Sequence, residues 1–268
     1  MDDREIYPSA PVVLVACEIR YPTADTLTRA QQRDFKAALA ERFPLMKPVT
    51  RQNVTVVNGG PPEVVQETVP RFETRDRTSA VTAGTQALVV ETTGYERYEV
   101  FRESVETALQ TLAELNPPDG VERIGLRYID EIRVPGPLDD WSAWRKWVDL
   151  SLVGPAANGA QLGLTALDWQ GLMRFSTESD HTVVLRYGPR DGYAVDPNGP
   201  LRRAGGVPEP SPFFLLDIDS FSEPTDEVPA YNVASLLGTF DELHAPVRDL
   251  FESVITEDLR NEVLRQDG

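Results

Sequence analysis

From Val12 to Arg20 the chain reads VVLVACEIR, a β-branched, apolar run that predicts a largely buried strand. Tyr21-Pro22 ends it, and the period of the pattern then changes. Phe35, Leu39 and Phe43 recur at four-residue steps, the spacing of one helix face, so a helix is expected over residues 28–43. Thr28 and Gln31 have capping-box spacing, in which each side chain satisfies the other's free backbone N–H. Pro44 stops this helix. Four strand candidates follow at residues 53–57, 71–75, 78–82 and 86–91. Gly59-Gly60-Pro61-Pro62 and Ala83-Gly84 separate them as turn formers. The short links between the last three predict an antiparallel meander. A second helix is expected over residues 96–115. Tyr98, Phe101, Val105, Ala108, Leu109 and Leu112 line one face of it, and Asn116-Pro117-Pro118 terminates it.

The same order of patterns then returns. Residues 121–134, VERIGLRYIDEIRV, read as a long strand. A helix is expected at 139–150, with Trp141, Trp144 and Val148 at core-facing spacing. Strands are expected at 162–169, 171–177, 182–187 and 213–219. The chain is helical from Asn232, with Pro246 inside and a new capped turn at Thr256. The fold class is therefore α+β, with two tandem β-α-β(4)-α halves, residues 1–118 and 119–268. Each is an antiparallel sheet backed by helices, and the second carries a C-terminal helical segment. The opening strands also share a local likeness, Glu18-Ile19-Arg20-Tyr21-Pro22 against Glu131-Ile132-Arg133-Val134-Pro135. The competing arrangement is one continuous sheet without symmetry. Residues 188–212 fit neither reading. They are rich in turn formers, and loops of that length are functional or disordered. Arg202 and Arg203 lie there in an otherwise acidic chain, which points to an anionic ordering partner.

Charge narrows the partners. There are 43 Asp and Glu against 26 Lys and Arg, a net of −17, and Lys36, Lys47 and Lys146 are the only lysines. Long-range repulsion opposes duplex DNA and anionic membranes, while a basic protein partner or a homo-oligomer is compatible. No apolar run nears the roughly 20 residues that span a bilayer. The N-terminal MDDREIYPSAP lacks the basic and apolar regions of a signal peptide. With Cys17 as the single cysteine, the reading is a cytoplasmic protein.

Candidate chemistry is sparse, and no cofactor is expected. No GxxxxGK, GxGxxG or GxSxG pattern occurs; Gly154, Gly159 and Gly163 are scattered in a small-residue loop. Glu178, Asp180 and His181 read as a polar hairpin turn rather than a metal site, and Cys17 as an inert core thiol. Asp217 and Asp219, two apart in FFLLDIDSF, point to one strand face and are a candidate Mg²⁺ pair. The competing reading pairs them with arginines such as Arg174 and Arg186. In Gly125-Leu126-Arg127-Tyr128-Ile129-Asp130, Arg127 and Tyr128 point to opposite faces. Tyr128 and Asp130 share the face of Leu126 and Ile132, which puts a carboxylate on an apolar face. Such a group needs donors or a cation. The expectation is an arginine partner, the sharper alternative a ligand pocket with Arg127, Tyr128 and Asp130 near it.

GLRYID, the opening strand ending EIRYP and the late LDID strand before a helical C-terminus together resemble a sporadically distributed prokaryotic family of uncharacterised proteins of about 250 residues. The resemblance covers most of the chain and implies no catalytic residues. The doubled strand–helix–four-strand–helix order is similar, at the level of fold alone, to the tandem fold of TATA-box-binding proteins. The acidity departs from what a DNA-binding saddle requires. The leading expectation is a non-enzymatic binding or regulatory protein that recognises another protein: an antitoxin, an inhibitor or a host-defence component. A small-molecule or nucleotide binder is the second expectation. A metal-dependent phosphoryl or nucleotidyl enzyme using Asp217 and Asp219 is the third.

Overall fold

A computed structural model describes residues 5–55, 63–136, 138, 141–159 and 162–266. Strands β1 (Val12–Arg20), β2 (Leu45–Thr55), β3 (Glu63–Glu73), β4 (Ser79–Ala83) and β5 (Ala87–Thr92) come from the first part of the chain. Strands β6 (Arg123–Ile132), β7 (Gly171–Ser176), β8 (Thr182–Arg190) and β9 (Phe213–Ser222) come from the second. They form one nine-stranded sheet in the order β2-β3-β4-β5-β1-β6-β9-β8-β7. Every pairing is antiparallel, so the class is α+β with an antiparallel sheet. Residues 1–118 and 119–268 meet at the β1–β6 pair, inside that sheet.

Helices α1 (Arg29–Ala38), α2 (Tyr98–Leu115) and α5 (Val233–Val254) supply most of the helical packing. The alternation in β1 buries Val13, Val15, Cys17 and Ile19, while α2 buries Phe101, Val105, Leu109 and Leu112. From α5, Leu236, Phe240, Leu243 and Val247 join the same core cluster. Each fully buried side chain of this size contributes about 1.5–3 kcal/mol relative to exposure. The capping box of α1 is present: Thr28 N donates to Gln31 Oε1 at 2.9 Å and Gln31 N to Thr28 Oγ1 at 3.3 Å. Among the described residues, no helix is long and apolar enough to cross a membrane.

Several expectations are corrected. α1 ends at Ala38, and turns carry the chain to Phe43, which is still buried. β2 and β3 are longer than expected, because Pro48 and Pro70 interrupt the apolar pattern. These prolines face each other where β3 has only β2 as a neighbour, so the missing N–H groups cost little. The turn expected at Gly59-Gly60-Pro61-Pro62 lies outside the described residues. The helix expected at 139–150 is a 3₁₀ turn at Trp141–Lys146, followed by the short α3 (Leu150–Val153) and α4 (Ala156–Gly159); positions 139 and 140 lie outside the described residues. Asp149 caps α3 by accepting from Ser151 N at 2.9 Å, and this new start divides the helical segment.

No strand forms over 162–169. Gly163 sits at φ 70° and breaks the extended run, and Leu162, Leu164 and Leu167 are exposed. Among the described residues, three strands rather than four therefore follow β6. The C-terminal turn at Thr256 is α6 (Glu257–Leu259), which runs into a π-helical turn at Arg260–Leu264. Residues 191–212 pack onto the sheet's end. Leu201 is buried, Arg202 N donates to Arg77 O at 2.8 Å, and Tyr193 Oη donates to Pro208 O at 2.7 Å.

Candidate functional site

The central strand β6 turns Leu126, Tyr128, Asp130 and Ile132 toward the helices, and all four are buried. Above Tyr128 and Asp130 lies a cavity of about 520 Å³. Its walls are the N-terminal segment at residues 5–12, the turn into α2 at residues 95–99, Ile218 of β9, and His244, Val247 and Arg248 of α5. The register of β1 against β6 shifts between Val12 and Leu14, next to Asp130. Such irregularities bend a strand and re-aim its side chains. The N-terminal wall is tied down: Ser9 N donates to Leu264 O at 3.1 Å, and Tyr7 Oη to Glu252 Oε2 at 3.0 Å.

Aromatic rings form much of the lining. Tyr95 meets Tyr128 edge to face, with centroids 5.3 Å apart and hydroxyls 3.1 Å apart. The Tyr98 ring stacks on His244 at 3.7 Å, and its hydroxyl donates to Asp241 at 2.7 Å. Burial raises the Tyr95 and Tyr128 hydroxyls above their ordinary pKa, so both are neutral donors and acceptors.

Asp130 is the anomaly. It is 5 % exposed and, among the described residues, no side chain donates to its carboxylate. Among the described residues, no arginine pairs with it, although an arginine partner is expected from sequence. Burial first, and then the nearby Asp217 carboxylate, push its pKa up to about 8. Its neighbour Glu131, on the opposite face, shows the contrast. Burial pushes Glu131 upward too, but the Arg203 guanidinium (2.7 Å), the Ala194 amide (2.7 Å) and Arg133 (2.8 Å) outweigh it and hold its pKa below normal. Two adjacent carboxylates are thus buried, one saturated with donors and one facing a cavity with none among the described residues.

Of the residues singled out from sequence, only Tyr128 and Asp130 meet in this cavity. Arg127 faces the other side of the sheet, where its guanidinium grips Asp217 in two bonds of 2.6 and 2.7 Å; Arg186 approaches the same carboxylate at 3.6 Å. Asp219 is held by Arg123 at 3.1 and 3.2 Å. Asp217 and Asp219 therefore share a face with their carboxylates directed at arginines. No group of three or more His, Cys, Asp or Glu suited to a metal occurs among the described residues. The Arg203 side chain ends on Glu131 rather than on an open surface, while Arg202 leaves an exposed side chain and anchors the loop through its backbone. His181 closes the β7–β8 turn, 3.7 Å from Glu242 of α5. Cys17 is fully buried and burial raises its thiol pKa, which leaves it unreactive.

Sequence reasoning missed Tyr95, His244 and Arg248. One signal was available: His244 follows Leu243 in the apolar stripe of α5, where a polar ring needs a reason. Tyr95 and Arg248 carry none, because only the packing of α2 and α5 brings them to β6. No protein-family model matches the chain, and no curated protein does either.

Proposed function

We propose that this is a binding protein whose ligand is a small molecule held in the cavity over Asp130. The observation that carries this reading is the buried Asp130 carboxyl, which opens onto about 520 Å³ of space and has no donor among the described residues. A carboxyl held largely out of water without protein donors is costly, and strongly perturbed groups of this kind cluster at functional sites. The size and the apolar, aromatic lining with a few convergent polar groups are those of small-molecule pockets. A fragment screen read by the resonances of Tyr95, Tyr128 and His244 tests this. Fragments that occupy the cavity shift all three, and a screen of several hundred that moves none of them removes the reading.

A second reading, recognition of another protein, is supported by the β7 edge of the sheet. Leu172, Met173 and Phe175 are exposed there, and Leu162, Leu164 and Leu167 lie exposed just before it. An unprotected apolar edge strand is a template for strand addition. The antitoxin, inhibitor or host-defence role anticipated from the acidic composition belongs to this reading. We also propose that the two parts of the chain are related units, similar to the tandem fold of TATA-box-binding proteins and built as in the prokaryotic family that GLRYID resembles. What supports it is the strand order: β1-β5-β4-β3-β2 outward on one side and β6-β9-β8-β7 on the other, each running back from the last strand of its part.

A further inference from the structure

We infer that the cavity takes its ligand by an ammonium group seated on the Asp130 carboxylate against the Tyr95 and Tyr128 rings. This rests on the cavity being a small-molecule site and adds the chemical class of what enters it.

The class follows from which polar groups are still free to choose. Glu5 is engaged by Arg265 at 2.6 Å, and Glu252 by Tyr7 and Arg260 at 3.0 and 3.1 Å. Around α2 and α5 the wall carries both signs, Glu96 and Glu99 with Arg97 and Arg248, and so selects for neither. Tyr98 is committed to Asp241, and His244 is stacked on Tyr98. From β9, Ile218 presents an apolar side chain, and Asp217 acts across the sheet. Arg248 draws down the Tyr95 hydroxyl, but burial and Asp217 are what act on Asp130, and both disfavour its charge.

An anion seated at Asp130 would meet a carboxyl, and the arginines of the wall, Arg97 and Arg248, sit beside Glu96 and Glu99. A neutral acceptor has the Tyr95 and Tyr128 hydroxyls available already, and leaves Asp130 protonated. A cation converts the Asp130 carboxyl from a liability into an attraction, while Asp217 is already paired with Arg127 across the sheet. A charge-assisted bond is roughly twice as strong as a neutral one, and the ring faces add a cation–π contribution.

The proton balance supplies the signature. Free Asp130 is protonated below about pH 8, and it must ionise to hold an ammonium group. Binding therefore expels one proton to solvent while the N–H bonds of the ligand stay intact. Affinity for an amine should rise about tenfold per pH unit up to that pKa and then level off. A neutral acceptor bound by the carboxyl O–H gives the opposite slope, with affinity lost as pH rises past the same value.

The test is calorimetry on the full chain at pH 6, 7, 8 and 9. The probes are phenethylamine, the neutral acceptor 4-phenyl-2-butanone and the anion 3-phenylpropionate. We expect phenethylamine to bind, to tighten about tenfold between pH 6 and pH 7, and to release one proton, seen as a buffer-dependent heat. Asp130→Asn should abolish this binding while circular dichroism shows the fold intact. Preferential binding of the ketone or the carboxylate, or amine binding that Asp130→Asn leaves unchanged, overturns the ammonium inference and leaves the cavity standing. Binding of none of the three overturns both.

Discussion

Replacing Asp130 with asparagine should make this protein more stable, and the gain should depend on pH. In the unfolded chain an aspartate gives up its proton near its ordinary pKa of 3.8, whereas in the fold burial and Asp217 hold Asp130 protonated to about pH 8. Between those values the folded state binds the extra proton. Stability therefore falls as pH rises through this window and is flat above it. At pH 7 the folded state keeps a proton that the unfolded chain released about three pH units lower; at 1.36 kcal/mol per unit this costs about 4 kcal/mol. Asparagine has the same shape and no charge to desolvate, so the variant escapes this cost. Urea unfolding of both proteins at pH 5, 6, 7 and 8 isolates the effect, because every other titrating group cancels in the difference. The gain should be about 1–2 kcal/mol at pH 5, about 4 at pH 7 and largest at pH 8. A variant that is less stable than the parent, or a difference that does not change with pH, would refute the reasoning and restore the donor partner expected from sequence.

The neighbouring carboxylate should respond with the opposite sign. Glu131→Ala leaves Arg203 and Arg133 without their shared acceptor and should cost about 3–5 kcal/mol by chemical denaturation. The stability that Glu131 contributes is present above its unfolded pKa and lost on acidification through its lowered folded pKa. At the β7 edge, Leu172 is 66 % and Phe175 37 % exposed, and Arg174 is the one charge in the strand. The other edge, β2, carries the exposed Lys47 and Pro48, which discourage pairing. Sedimentation velocity should show concentration-dependent self-association of the wild type, and a monomer when Leu172 and Phe175 are both lysine; a wild type that stays monomeric at all concentrations counts against an adhesive edge. With a net charge of −17, duplex DNA should not be bound at physiological salt; micromolar binding that weakens steeply with salt would contradict this.

What the sequence determined by itself was local. Period-2 alternation in VVLVACEIR and in the GLRYID strand specified which residues share a face, so Asp130 was placed beside Leu126 and Ile132 before any contact was known. The Thr28 capping box, the face of α2 and the start of α5 near Asn232 were equally legible, because each depends on residues within one or two turns. The failures were local patterns that lacked a neighbour or met a competing signal. The apolar run at 162–169 reads as a strand, but Gly163 turns the chain and no ladder forms. Prolines hid the length of β2 and β3, whose pairing is long-range. Only the tertiary structure could decide what Asp130 and Glu131 would meet. The two are adjacent in sequence and both are buried, yet a loop some 60 to 70 residues away brings Ala194 and Arg203 to one, while α2, α5 and the N-terminal segment leave a cavity over the other. Burial is a property of a face, which alternation encodes. Satisfaction is a property of the neighbours, which come from distant parts of the chain and reach β6 only when the helices pack.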